Sequence, residues 1–167
     1  MRNQTQRLTL LALCASATLV LSYLEALLPP LYAAIPGIKM GLPNVVILFV
    51  LYRRGVRDAA AVSAVRLVAV ALLFGNVMTL AYSVAGAILS LTVMGILRRF
   101  NWFSPVGVSV AGGVCHNVGQ ILVAMALLKT EEIGYYMPVL AITGTLAGIL
   151  VGLLGGLLLK QLGERAD

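Results

Sequence analysis

The chain has 167 residues, 60% of them hydrophobic and 11% charged, with a mean hydropathy of +1.00. A water-soluble globule of this length needs far more polar surface, so the composition excludes one and points to an integral membrane protein. The net charge of +6 does not imply a nucleic-acid partner, because the cations cluster at the ends of apolar stretches rather than forming a basic patch.

Apolar stretches at 8–28, 41–53, 58–75, 77–97, 104–128 and 136–160 predict an all-α, single-domain bundle of six transmembrane helices, the second and third short for a crossing. The first stretch runs past 20 residues into a proline-rich turn without a small-x-small cleavage site, so it reads as a retained helix rather than a removed signal peptide. Under a six-helix count Arg2, Arg7, Arg53, Arg54, Arg57, Arg98, Arg99, Lys160 and Arg165 fall on one side, Lys39 and Lys129 on the other, and Arg66 inside. That bias predicts a multi-pass protein of the cell (cytoplasmic) membrane with both termini cytoplasmic. The arginine pairs then anchor lipid headgroups or, alternatively, hold phosphate.

Helix one carries a small-residue face, Ala12 and Ser16 with Ala15 alongside, that serves either internal packing or the docking of a partner. Cys14 and Cys115 lack paired spacing, so no disulfide and no metal site is expected. Between helices one and two, the segment 28–43 holds too many prolines and glycines for a helix, yet it carries Leu31, Tyr32, Ile35, Ile38 and Met40. It is either a lid over the membrane mouth or an interfacial connector. Gly75, Asn76 and Val77 only reverse the chain between helices three and four. The stretch from Lys129 to Tyr136 is the last external loop, with Tyr135 and Tyr136 placed as interfacial belt residues. Helix six has Gly144, Gly148, Gly152 and Gly156 at four-residue spacing, a stripe for close helix packing within the bundle or against a second subunit.

The polar residues inside these apolar stretches are the candidate site. His116, Asn117 and Gln120 share one arc of helix five, at a depth where lipid offers no hydrogen-bond partner. They line a cavity or join helices. Counting ~1.5 Å per residue across a ~30 Å core puts Arg66 at ~12 Å from the cytoplasmic side, His116 at ~18 Å and Tyr82 at ~22 Å. Glu25, Asn44 and Gln120 fall at ~25 Å on the same count. Five helices contribute, which favours one outward-opening cavity. Arg66 is the costliest member, at about 2.5–3.5 kcal/mol on insertion scales. Glu25 is the only acid within an apolar stretch, ~13 Å away in depth. Arg66 therefore meets Glu25 through an intervening group, awaits an anionic ligand, or snorkels to the headgroups. Facing the cavity, it would join His116 and Lys39 in selecting an acidic or electron-rich solute.

No phosphate loop is present, so the chain does not power itself with nucleotide. The aspartates are Asp58 and Asp167, both outside the apolar core, so the clustered carboxylates that hold magnesium on a diphosphate are missing. The single His has no nucleophile elbow or orienting acid. These features argue against catalysis and imply no catalytic residue and no cofactor.

The segments Ile35 to Leu42, Arg66 with Leu72-Leu73-Phe74-Gly75, Ser90 to Met94, and Gly107 to Gly112 leading into His116-Asn117-Val118-Gly119-Gln120 resemble the Gx transporter family, also labelled heptaprenyl diphosphate synthase component I. Pro43 stands where the family pattern has a small residue before the Asn. That family in turn resembles the substrate-binding S components of energy-coupling-factor vitamin importers. The resemblance implies a six-helix S-component-like bundle binding a small-molecule substrate. It also implies docking, through Ala12 and Ser16, on a transmembrane coupling protein driven by two ATPases. The synthase label implies instead an accessory role in prenyl chain assembly.

Overall fold

The computed structural model describes residues 2–27, 41–73, 75 and 77–163. They form six α-helices: α1 (Arg2–Leu27), α2 (Leu42–Arg54), α3 (Val56–Leu73), α4 (Val77–Phe100), α5 (Pro105–Leu128) and α6 (Met137–Gly163). A 3-10 turn, Glu131–Tyr136, occupies what the sequence presents as the last external loop. No strand occurs among the described residues. The proline-rich segment, with Lys39 and the lid it suggested, lies outside them.

The exposed surface is that of a membrane protein. Leu8, Val65, Leu72, Ile88, Leu122, Ile142, Leu146 and Leu157 are all more than half exposed, as expected for side chains solvated by lipid. Four helical segments are long and apolar enough to cross a bilayer: Gln4–Leu27, Val77–Phe100, Pro105–Leu128 and Glu132–Leu162. Among the described residues the expectation of six crossings is thus met by six helices, of which four supply such segments. The 13 residues of α2 extend only about 20 Å against a core of about 30 Å. In α3, Arg57, Asp58 and Arg66 interrupt the apolar run.

Short as it is, α2 is the centre of the bundle. Val46, Ile47, Leu48, Phe49, Val50 and Leu51 are all buried, so the helix is covered on every side, by α1, α3 and α6. It starts at Gly41, whose φ of 73° is left-handed, with Pro43 in the first turn where its missing N–H costs nothing. It ends at Gly55, φ 103°, whose N–H reaches the carbonyls of Val50 and Leu51. Only a residue without a Cβ adopts that angle cheaply. A single residue therefore joins α2 to α3 in a helical hairpin.

The other half is a sheet of three long helices with α5 in the middle, α4 on one face and α6 on the other. Glycines set both spacings. A Cβ on Gly112 would meet the Met94 side chain at 2.5 Å, and one on Gly119 would meet the Ala85 carbonyl at 2.8 Å, both on α4. On the opposite face, a Cβ on Gly148 would lie 2.6 Å from Val110 Cα and one on Gly152 2.6 Å from Val106 Cα. Gly144 is equally close to Gly113, whereas Gly156 faces open space. Three of the four stripe glycines thus lie against α5, and a Cβ on the fourth would meet no described atom within 4 Å. Contacts of α3 with α4 and of α2 with α6 join the halves.

One end of the bundle gathers the arginines. Arg7 of α1 donates from Nε to Asp58 Oδ2 at 3.0 Å and from Nη2 to Oδ1, tying α1 to the start of α3. Arg98 of α4 donates from Nη2 to the Tyr52 carbonyl at 2.7 Å and lies over the Tyr52 ring. Phe100 and Trp102 pair beside it, with Trp102 largely exposed. Aromatics in that position suit a membrane interface. Cys14 is buried and Cys115 half-buried, both as free thiols. No group of His, Cys and carboxylates suited to a metal occurs among the described residues.

Candidate functional site

The polar residues fall into two layers. The lower one forms around the start of α2. A Cβ on Gly41 would lie 3.8 Å from Val151, near the middle of α6, so α2 begins within the depth of the bundle rather than at its rim. Its capping N–H, on Gly41, donates to Glu25 Oε1 at 2.5 Å. A carboxylate there complements the positive end of the helix dipole. One turn on, Asn44 points its Oδ1 at Arg66 Nη1, 3.5 Å away.

This geometry corrects the depth estimate. Asn44 lies ~13 Å further from the cytoplasmic side than Arg66 only if α2 crosses the whole bilayer. Both residues instead stand eleven positions from Gly55, one before and one after, so the hairpin holds them level. Arg66 reaches sideways to Asn44 and does not snorkel to the arginine-rich end. Glu25 is close enough to interact electrostatically with Arg66, but forms no ion pair with it because its carboxylate is turned to Gly41. Gly41 and Asn44 stand between them, the Asn44 N–H donating to the Gly41 carbonyl at 2.8 Å. The 3.5 Å contact is at the weak limit for a hydrogen bond, and Arg66 Nε is buried with no partner among the described residues. A buried guanidinium with spare donors is costly and calls for an acceptor.

The upper layer belongs to α4, α5 and α6. His116 lies over Gly86, where an added Cβ would meet the ring Nδ1 and Cε1 at 2.9 Å. Asn117 turns the other way and donates from Nδ2 to the Leu140 carbonyl at 2.7 Å, joining α5 to α6. The arc that the sequence assigns to one cavity is therefore divided between two helix interfaces. Gln120 is half-buried one turn beyond His116, and Tyr82 is half-buried one turn beyond Gly86. Because α4 and α5 run antiparallel, these two stand at one level.

The vertical relation of the layers follows from α6. Gly144 lies against Asn117 and Val151 against Gly41, seven residues apart, so α2 starts about 10 Å short of the Asn117 layer. Above its N-terminus the bundle continues with the longer helices. Among the other candidates, Ala12 and Ser16 are exposed on α1, with the Ser16 hydroxyl folded back onto the Ala12 carbonyl at 3.0 Å. Among the described residues internal packing does not use that face; Ala15 beside it packs on the core.

Sequence reasoning missed Gly41, Gly86 and the Leu140 carbonyl. Nothing in the local pattern marks a backbone N–H for Glu25 or a carbonyl for Asn117. Gly86, in the middle of an apolar helix, was the available signal of a close approach.

An all-helical chain with lipid-exposed apolar faces and buried polar layers defines a membrane protein. The chain belongs to the family described as heptaprenyl diphosphate synthase component I, whose sequence model matches residues 13–158. No curated protein and no solved structure matches it significantly.

Proposed function

We propose that the chain is the substrate-binding membrane subunit of an energy-coupling-factor-like importer for a small organic solute bearing an acidic group, of the size of a vitamin or cofactor precursor. The observation that carries this reading is Arg66, half-buried at the level of the α2 N-terminus, with a buried Nε that has no hydrogen-bond partner among the described residues. Transporters use helices that begin at mid-depth because the exposed N–H groups and dipole attract anionic substrate groups. Arg66, Asn44 and the start of α2 bind the acidic group, while His116, Gln120 and Tyr82 contact the remainder of the solute from the layer above. Asn117, in that same layer, holds α5 and α6 in register. Glu25 orients the α2 N-terminus, and Lys39 adds a second cation. Both termini lie in the cytoplasm, and the exposed Ala12 and Ser16 face receives a transmembrane coupling protein driven by two ATPases.

The family description supports a second reading, a noncatalytic membrane component of a heptaprenyl or polyprenyl diphosphate synthase system. Gentle affinity purification from native membranes, with mass spectrometry of proteins and small molecules, separates the two. Recovery of an ATPase pair, a coupling protein and a stoichiometric acidic solute is the expected result. A soluble prenyl synthase in their place refutes the importer reading.

A further inference from the structure

The arginine-rich end holds a cleft that the importer reading does not use. It lies between α1, α2 and α6, has a volume of about 420 Å³, and is lined by Leu10, Phe49, Leu162, Arg53 and Arg54. We propose that this cleft seats one anionic glycerophospholipid, with the phosphate on the two guanidinium groups and an acyl chain along Leu10, Phe49 and Leu162.

Charge and register both point to that occupant. Phe49 and Arg53 are four residues apart on α2, so they share a face, with the ring one turn deeper than the guanidinium. A ligand in contact with both is charged at the membrane surface and apolar below it. Among the described residues the pair also has unmet charge. The ion pair found among the described residues is Arg7 with Asp58, and Arg7 takes both carboxylate oxygens. Arg54 senses Asp58 only through space, and Arg53 has no acid within ion-pair distance among the described residues. Arg98, at the same end, is by contrast committed to the Tyr52 carbonyl and ring. Guanidinium groups bind phosphate bidentately, and basic pockets between membrane helices hold anionic headgroups. A free phosphate would leave the apolar floor unused.

The test is native mass spectrometry of the full chain, extracted mildly from bilayers of equal phosphatidylglycerol and phosphatidylcholine with matched acyl chains. Wild type retains one phosphatidylglycerol in preference to phosphatidylcholine. R53Q/R54Q loses that retention by about tenfold or more. R57Q/R99Q, an equal charge change at exposed positions of the same end outside the cleft, keeps it. Leu162→Trp, with every charge intact, lowers retention by filling the floor, and it reads the site if the double variant does not fold. The proposal is overturned if both double variants lose lipid equally, if phosphatidylcholine is held as well, or if Leu162→Trp has no effect. Displacement by glycerol 3-phosphate would make the ligand a soluble anion, and displacement by farnesyl diphosphate a prenyl one; either result also overturns it.

Discussion

Arg66 and Asn44 meet at 3.5 Å across a helical hairpin whose hinge, Gly55, is eleven residues from each. The equal arms explain how a cation and an amide from α3 and α2 share one level inside a bilayer. The contact is too long to satisfy a guanidinium, whose Nε has no hydrogen-bond partner among the described residues. Under the proposed function the charge is kept, against its cost in stability, for the ligand.

Replacing Arg66 by Met separates those two roles. Arg66→Met removes an incompletely paired charge from the interior and keeps a long apolar side chain. Thermal unfolding in detergent should show unchanged or raised stability, by up to about 2 kcal/mol. Uptake or binding of the acidic solute recovered from native membranes should be lost. A variant that unfolds markedly earlier would show Arg66 to be structural.

Stability along the glycine stripe should differ from one position to the next. An added methyl at Gly148 would press on Val110 Cα at 2.6 Å and on the Ser109 carbonyl at 2.9 Å, backbone atoms that cannot turn away. Gly148→Ala should therefore cost about 1–3 kcal/mol by forcing α5 and α6 apart. Gly156→Ala meets nothing within 4 Å and should be neutral or stabilising by up to about 1 kcal/mol through helix propensity. Comparing the two unfolding midpoints decides the matter.

Much of this fold was legible because long apolar runs and charged ends mark helices directly. The start of α2 was legible in position, expected at 41 and found at Leu42, but not in depth, which depends on Gly41 adopting a left-handed φ and on its N–H finding Glu25, sixteen residues away in sequence. Assuming a full crossing for α2 then displaced Asn44 in depth, so the residue count did not place it beside Arg66. The polar residues themselves were apparent from their apolar context. Their partners were not: helical phase places His116 and Asn117 on one arc but cannot say that α4 covers one and α6 the other. The exposure of Ala12 and Ser16 likewise depends on where α1 lies against α2 and α3.

The Arg7 and Asp58 pair should show an asymmetric response. The Asp58 side chain is 6% exposed and that of Arg7 53%. Arg7→Gln leaves a buried carboxylate without its partner, whereas Asp58→Asn leaves a guanidinium that water and headgroups can solvate. The Arg7 variant should therefore unfold at the lower temperature, and the difference should shrink in the double variant Arg7→Gln with Asp58→Asn, where no charge remains to be compensated. Equal losses from the two single variants would place the pair in a solvated surface environment and remove its role in fixing α1 to the hairpin.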